Sequence, residues 1–68
     1  MTIFHFYHYE KTDGLRSYSY HTEFGWIDIQ VYPDGSNTID CQDSSYQEIR
    51  EAIQQIEIGL KLEGIQLK

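Results

Sequence analysis

Residues 26–41 read WIDIQVYPDGSNTIDC. Two short runs of alternating apolar and polar residues flank Pro33-Asp34-Gly35-Ser36, the composition of a β-hairpin and its turn. Two registers compete. With Asp34-Gly35 alone as the loop, Ile29 faces Asp40 and Ile39 falls on the polar side. With Pro33-Asp34 at the centre of a type I turn and Gly35 in the left-handed bulge position, Ile29 opposes Ile39 and Ile27 opposes Cys41. The second register keeps the apolar residues together and is the one expected. On the opposite face it sets Asp28 across from Asp40 and Gln30 across from Thr38, with Trp26 and Tyr32 flanking.

Upstream, residues 2–10 carry Phe4 and Phe6 on one side of a strand and Ile3, His5, Tyr7 and Tyr9 on the other. Asp13-Gly14 is a turn signal, and in the run that follows Tyr18, Tyr20 and Thr22 alternate with Ser17, Ser19 and His21. This is a second hairpin. A two-residue turn pairs Tyr9 with Tyr18 and Tyr7 with Tyr20; a three-residue turn with a bulge pairs Phe6 with Tyr20 and Glu10 with Arg16. The residues do not decide between them.

Downstream of Cys41 the period changes from 2 to 3.6. Ser45 and Glu48 have the spacing of a capping box, and Tyr46, Ile49, Ile53, Ile56 and Leu60 recur at alternating steps of three and four. These predict an amphipathic helix of about four turns lying on the sheet. Gly59 and Gly64 are both candidate stops, the latter leaving Ile65 and Leu67 as a short packed extension. Ile58, Leu62 and Ile65 form a second, narrower stripe that, if helical and exposed, suits a homodimer.

The expected fold is therefore α+β: a four-stranded antiparallel sheet made of two hairpins, with one C-terminal helix packed on one face, and residues 1–68 forming a single domain. A chain of 68 residues buries only about 60% of the surface its unfolded form exposes, which leaves little room for an enclosed active site. One helix covers one face of the sheet, and the other meets solvent or a partner. Ile27, Ile29, Ile39 and Cys41 are expected beneath the helix, together with some of the N-terminal aromatics. Trp26, Asp28, Gln30, Tyr32, Thr38 and Asp40 are expected on the uncovered face, with tyrosines from whichever side of the first hairpin turns outward.

The charge is unevenly spread along the chain. The chain has 11 Asp+Glu against 5 Lys+Arg, a net charge of −6. No Lys or Arg separates Arg16 from Arg50, while Glu23, Asp28, Asp34, Asp40, Asp43 and Glu48 all lie between them. Such a segment repels a phosphate backbone and argues against direct nucleic-acid binding. The density of aromatic and β-branched residues argues against a disordered tail. The single Cys41 forms no internal disulfide and is expected inside as a small core residue. His5 and His8, three apart on a strand, point to opposite faces, so no metal site is expected. No glycine loop cradles a phosphate, and the Asp28–Asp40 pair lacks the cleft that acid/base chemistry needs. No catalytic residue and no cofactor are assigned, and the protein is not expected to be an enzyme. No run of residues has the length and apolarity to cross a membrane, and the first ten lack the pattern of a secretion signal, so a cytoplasmic location is expected.

What remains is a binding protein. Tyrosine and tryptophan dominate binding hot spots, although small sheets carry them on solvent faces in any case. Like charges facing each other across a sheet are destabilising, and a partner's Lys or Arg relieves the repulsion. The expected function is a small acidic module that occupies a basic, nucleic-acid-binding site on a larger protein. Trp26, Asp28, Tyr32, Asp34, Asp40 and Asp43 are its expected contact residues. In size, acidity and independence from disulfides the chain is similar to small phage-encoded inhibitors of bacterial defence, anti-CRISPR proteins among them, which would place it in a bacterial host's cytoplasm. The likeness is one of profile and rests on no motif. The competing readings are an adaptor subunit or homo-oligomer using its aromatic face and, less favoured by the charge, a single-stranded nucleic-acid binder.

Overall fold

The computed structural model describes residues 6–68. Ile3, Phe4 and His5, whose faces entered the reading above, lie outside the described residues, as does the side chain of Phe6. The chain forms β1 (Phe6–Thr12), β2 (Leu15–His21), β3 (Trp26–Val31), β4 (Asn37–Gln42) and α1 (Tyr46–Leu62). The strands pair antiparallel in chain order, β1-β2-β3-β4.

The first hairpin takes the two-residue turn. Thr12 pairs with Leu15, and Asp13 and Gly14 have φ of 52° and 83°. Two positive φ values in a two-residue loop match the right-handed twist of the flanking strands. Tyr9 therefore pairs with Tyr18 and Tyr7 with Tyr20, while Arg16 meets Lys11 instead of Glu10. The β3–β4 hairpin takes the register that keeps Ile29 opposite Ile39 and Ile27 opposite Cys41. The Gly35 N–H donates to the Tyr32 carbonyl (2.9 Å) and the Tyr32 N–H to the Ser36 carbonyl (2.8 Å), with Gly35 at φ 92° as the bulge residue.

The helix begins where the capping box sets it. Ser45 Oγ accepts from the Glu48 N–H (3.1 Å), and Glu48 Oε1 accepts from the Ser45 N–H (2.7 Å). It runs through Gly59 and stops at Gly64. The Ile65 N–H donates to the Leu60 carbonyl (2.9 Å) and the Gly64 N–H to the Lys61 carbonyl (3.1 Å), the Schellman pattern, with Gly64 at φ 78°. The tail then returns to the second hairpin. The Lys68 N–H donates to the Gly35 carbonyl (3.0 Å), and Asn37 Nδ2 donates to the Lys68 carbonyl (3.4 Å). Ile65 and Leu67 pack against the core as the short extension.

Tyr18, Tyr20, Ile27, Ile29 and Val31 from the central strands meet Ala52, Ile56 and Leu60 from the helix. Each fully buried aliphatic side chain of this kind stabilises by roughly 1.5–3 kcal/mol. Two expectations are corrected here. Ile39 and Cys41 carry the right face but are not covered: Ile39 is 43% exposed and Cys41 is exposed. A helix about 10 Å across spans two strands spaced about 4.8 Å apart, not four. It lies over β2 and β3 and leaves the outer strand β4 bare. Tyr46, expected in the buried stripe, is 74% exposed. It opens the helix on its flank, where the Arg50 guanidinium stands 5.7 Å from its ring centroid.

Arg16 is buried on the helix side of the sheet. Its Nη2 donates to Glu63 Oε1 (3.0 Å) and its Nη1 to the Gly14 carbonyl (3.3 Å), tying β2 to the end of α1. The pair holds the Glu63 carboxyl below its ordinary value, mainly through that hydrogen bond.

Candidate functional site

Strand alternation sends every second residue to the face away from the helix. The registers line these residues up in rows: His8, Ser19, Asp28 and Asp40 in one, Glu10, Ser17, Gln30 and Thr38 in the next, and His21, Trp26 and Gln42 at the end. Hydrogen-bonded and non-hydrogen-bonded pairs alternate along an antiparallel ladder. Counting back from the Tyr32–Ser36 bond makes Gln30–Thr38 and Asp28–Asp40 hydrogen-bonded pairs. The two aspartate Cα atoms are thus about 5.5 Å apart. Among the described residues neither carboxylate has a hydrogen-bond or ion-pair partner.

No Lys or Arg shares this face. Lys11 and Arg16 pair with each other on the helix side, Arg50 and Lys61 belong to α1, and Lys68 is in the tail. These are all five Lys and Arg of the chain. Both ion pairs among the described residues, Arg16–Glu63 and Lys68–Asp34, also lie off the open face. The Lys and Arg are therefore confined to one side: Glu10, Asp28 and Asp40 stand on a face that carries none of them, while Arg50 and Lys61 share the helix with Glu48, Glu51 and Glu57.

The six contact residues expected from sequence fall into two groups. Trp26, Asp28 and Asp40 share the open face, and Asp43 (φ 53°) follows the Gln42 that pairs with Trp26. Tyr32 and Asp34 stand at the other end of the hairpin, about 20 Å away along six residues of strand. Asp34 is engaged within the turn. Its Oδ1 accepts from the Ser36 N–H (3.0 Å) and from Ser36 Oγ (2.6 Å), and its Oδ2 is 3.7 Å from Lys68 Nζ. Those bonds hold its carboxyl below the ordinary range. The tyrosines of the first hairpin turn to the helix side, so the open face carries Trp26 and none of Tyr7, Tyr9, Tyr18 or Tyr20.

Ser19 lies between His8 and Asp28, an order in which the aspartate does not reach the imidazole to orient it. Among the described residues no group of three or more His, Cys, Asp or Glu is assembled for a metal ion. Among the described residues no helix is long and apolar enough to cross a membrane.

A second feature lies on the helix side. Tyr7, Tyr9, Tyr18 and Tyr20 form one wall of a cleft of about 360 Å³, with Gln55, Ile56, Gly59 and Glu63 as the other. The rings pair at centroid distances of 4.8 Å (Tyr7–Tyr20) and 5.0 Å (Tyr9–Tyr18). Burial pushes the Tyr18 hydroxyl up to about 12 and raises Tyr20 as well. The pairing follows from the two-residue turn; which side the helix takes does not follow from the hairpin alone.

The chain matches no protein-family model, no curated protein and no solved structure in the three comparisons made.

Proposed function

We propose that the protein is a small acidic binding module that docks, through the uncovered face of its sheet, on a basic surface of a larger protein and occupies a site otherwise taken by nucleic-acid phosphates. One observation carries this reading: Asp28 and Asp40 are paired across β3 and β4 on a face to which none of the chain's Lys or Arg belongs. Two adjacent carboxylates on a face without Lys or Arg cost stability in the free protein. A guanidinium or ammonium from a partner reverses that cost, and a negative face meeting a basic one is steered into contact over distances that salt shortens. Asp28 and Asp40 are the anionic centre, Trp26 the flat apolar contact beside them, and Asp43 an added charge at that end. Tyr32 contributes at the far end, where Asp34 supplies its charge from within a turn. A phage-encoded inhibitor of a nucleic-acid-handling defence enzyme is a setting that suits such a face.

The test is affinity capture from a bacterial lysate with the wild type and with the D28K/D40K double variant, whose fold is checked by circular dichroism. The wild type retains a partner that nucleic acid displaces and that raised salt releases; the variant loses it, with affinity lower by about an order of magnitude or more. Retention by the folded variant at unchanged affinity sinks the proposal. A self-associating reading has its own support in Ile58 and Leu62, 67% and 86% exposed and four apart on α1. Light scattering decides it, because a monomer at high concentration removes that alternative.

A further inference from the structure

The ladder that pairs Asp28 with Asp40 has a consequence at the sheet's edge. Thr38, Asp40 and Gln42 direct their backbone groups toward β3, so the N–H and C=O of Asn37, Ile39 and Cys41 point outward from β4, which among the described residues has no further strand beside it. Natural edge strands are blunted by Lys, Pro, bulges or a covering loop. The sequence of β4, NTIDCQ, has none of the first two, its pairing with β3 is unbroken along all six residues, and none of the six is buried.

Both ends of this edge are held. A Cβ at Gly25 would fall on the Gln42 carbonyl oxygen, so the loop before β3 lies directly against the end of β4. At the other end the Asn37 side chain is bonded to the Lys68 carbonyl (3.4 Å). Between them the two faces of β4 differ. On the helix side Ile39 and Cys41 are exposed beside a core whose partly buried margin includes Ile49 and Ile53. On the open side Asp40 stands next to Asp28, and among the described residues neither has an ion-pair partner.

We propose that β4 is a docking edge, and that an extended segment of the basic partner adds to it as a fifth strand, with Lys or Arg at alternate positions and apolar residues between. This rests on the reading that the partner is basic, and it names the form in which the partner presents its charge. The outward backbone groups supply the ladder that β-strand addition requires. Because side chains of an added strand alternate, one set falls beside Ile39 and Cys41 and must be apolar, and the other falls beside Asp40 and must be cationic. The same charge selects against a second copy of this chain, since β4 against β4 sets Asp40 near its counterpart on a face that carries no Lys or Arg to separate them.

The probes are synthetic peptides: alternating Lys and Val, the same composition as one Lys block and one Val block, and the alternating peptide N-methylated at every second residue. The alternating peptide binds best, by about tenfold, the equivalent of one or two net backbone hydrogen bonds. N-methylation in the set that faces β4 abolishes the advantage, and the amide resonances of Ile39 and Cys41 move more than those of Thr38 and Asp40. Ile39→Pro removes an outward N–H at a position where an edge strand tolerates proline, and abolishes the same advantage. If that variant fails to fold, the N-methylated peptide gives the result on the unaltered protein. Equal affinity for the alternating and block peptides, with Ile39 and Cys41 resonances unmoved, overturns strand addition while leaving the acidic-face reading standing. Binding of both peptides that is indifferent to D28K/D40K overturns both. A dimer of the protein that Ile39→Pro dissolves makes the occupant a second copy and overturns the heterologous strand.

Discussion

Arg16 is where the fold depends most on one polar contact. Its guanidinium is buried, its Nε has no hydrogen-bond partner among the described residues, and Glu63 Oε1 holds Nη2 at 3.0 Å. Removing Glu63 leaves a buried cation short of its acceptor, whereas exchanging Arg16 for an apolar residue of similar length removes the need for one. The Glu63 carboxyl titrates below its ordinary value in the fold. Its contribution is therefore complete above the ordinary carboxylate range and is lost as pH falls through the lower, folded value. Thermal melts against pH should show the wild type losing stability on the acid side, with Glu63→Gln less stable at neutral pH and flatter below it. Sequence could not supply this pair: the partners are 47 positions apart, and Glu10 was an equally good local candidate for Arg16. Gly59 is the opposite case. It sits within α1, where a Cβ would meet nothing within 4 Å. Gly59→Ala should stabilise by about 1 kcal/mol, raising the melting midpoint by several degrees. An unchanged or lowered midpoint would mean that the tyrosine cleft is tighter at that point than its geometry indicates.

At the level of elements, the second hairpin was legible because two independent signals, the Ile29–Ile39 match and the Pro-Asp-Gly turn, agree on one register. The first hairpin was not, since a tyrosine pairing and a Glu10–Arg16 pairing are both chemically reasonable and Asp13-Gly14 suits a turn of either length. The end of α1 was legible in principle. Stopping at Gly59 would set Leu60 against Gln55, while stopping at Gly64 sets Ile65 against Leu60, the apolar contact that accompanies this cap. The tyrosine pairs carry a prediction for alkaline solution. Unfolded, Tyr18 ionises at the ordinary value of 10.0; folded, burial moves it to about 12. The stability that this difference contributes is complete below pH 10 and is lost as pH climbs through 12. Ultraviolet titration should find Tyr18 and Tyr20 ionising last and together with loss of far-ultraviolet dichroism. Ionisation of every tyrosine in one early step, with the fold intact, would contradict the buried pairing.

For the whole molecule, the fold class and the open acidic face follow from period, turn chemistry and the arithmetic of one helix on one sheet. Where the helix lies across the sheet did not enter that arithmetic. A helix wide enough for two strands leaves the two outer ones uncovered, and Ile39 and Cys41 belong to one of these, β4. The tyrosine-rich open face failed for a related reason: strand alternation groups the tyrosines correctly but does not say which side the helix will take. The charge separation was half legible, since the gap between Arg16 and Arg50 is visible in the chain while the turning of Lys11 and Arg16 toward the helix is not.

The order β1-β2-β3-β4 means that each strand is held by its neighbours in the chain and no outer strand is locked by one inserted later. The sheet can therefore open from its margins inward without breaking the contacts of β2 and β3 with the helix. Amide hydrogen exchange should be graded accordingly. The hydrogen-bonded amides that β2 and β3 exchange with each other should be the slowest, close to the rate set by global unfolding. Those joining β1 to β2 and β4 to β3 should be faster, so that two strands of a four-stranded sheet act as its permanent part and two as leaves that lift.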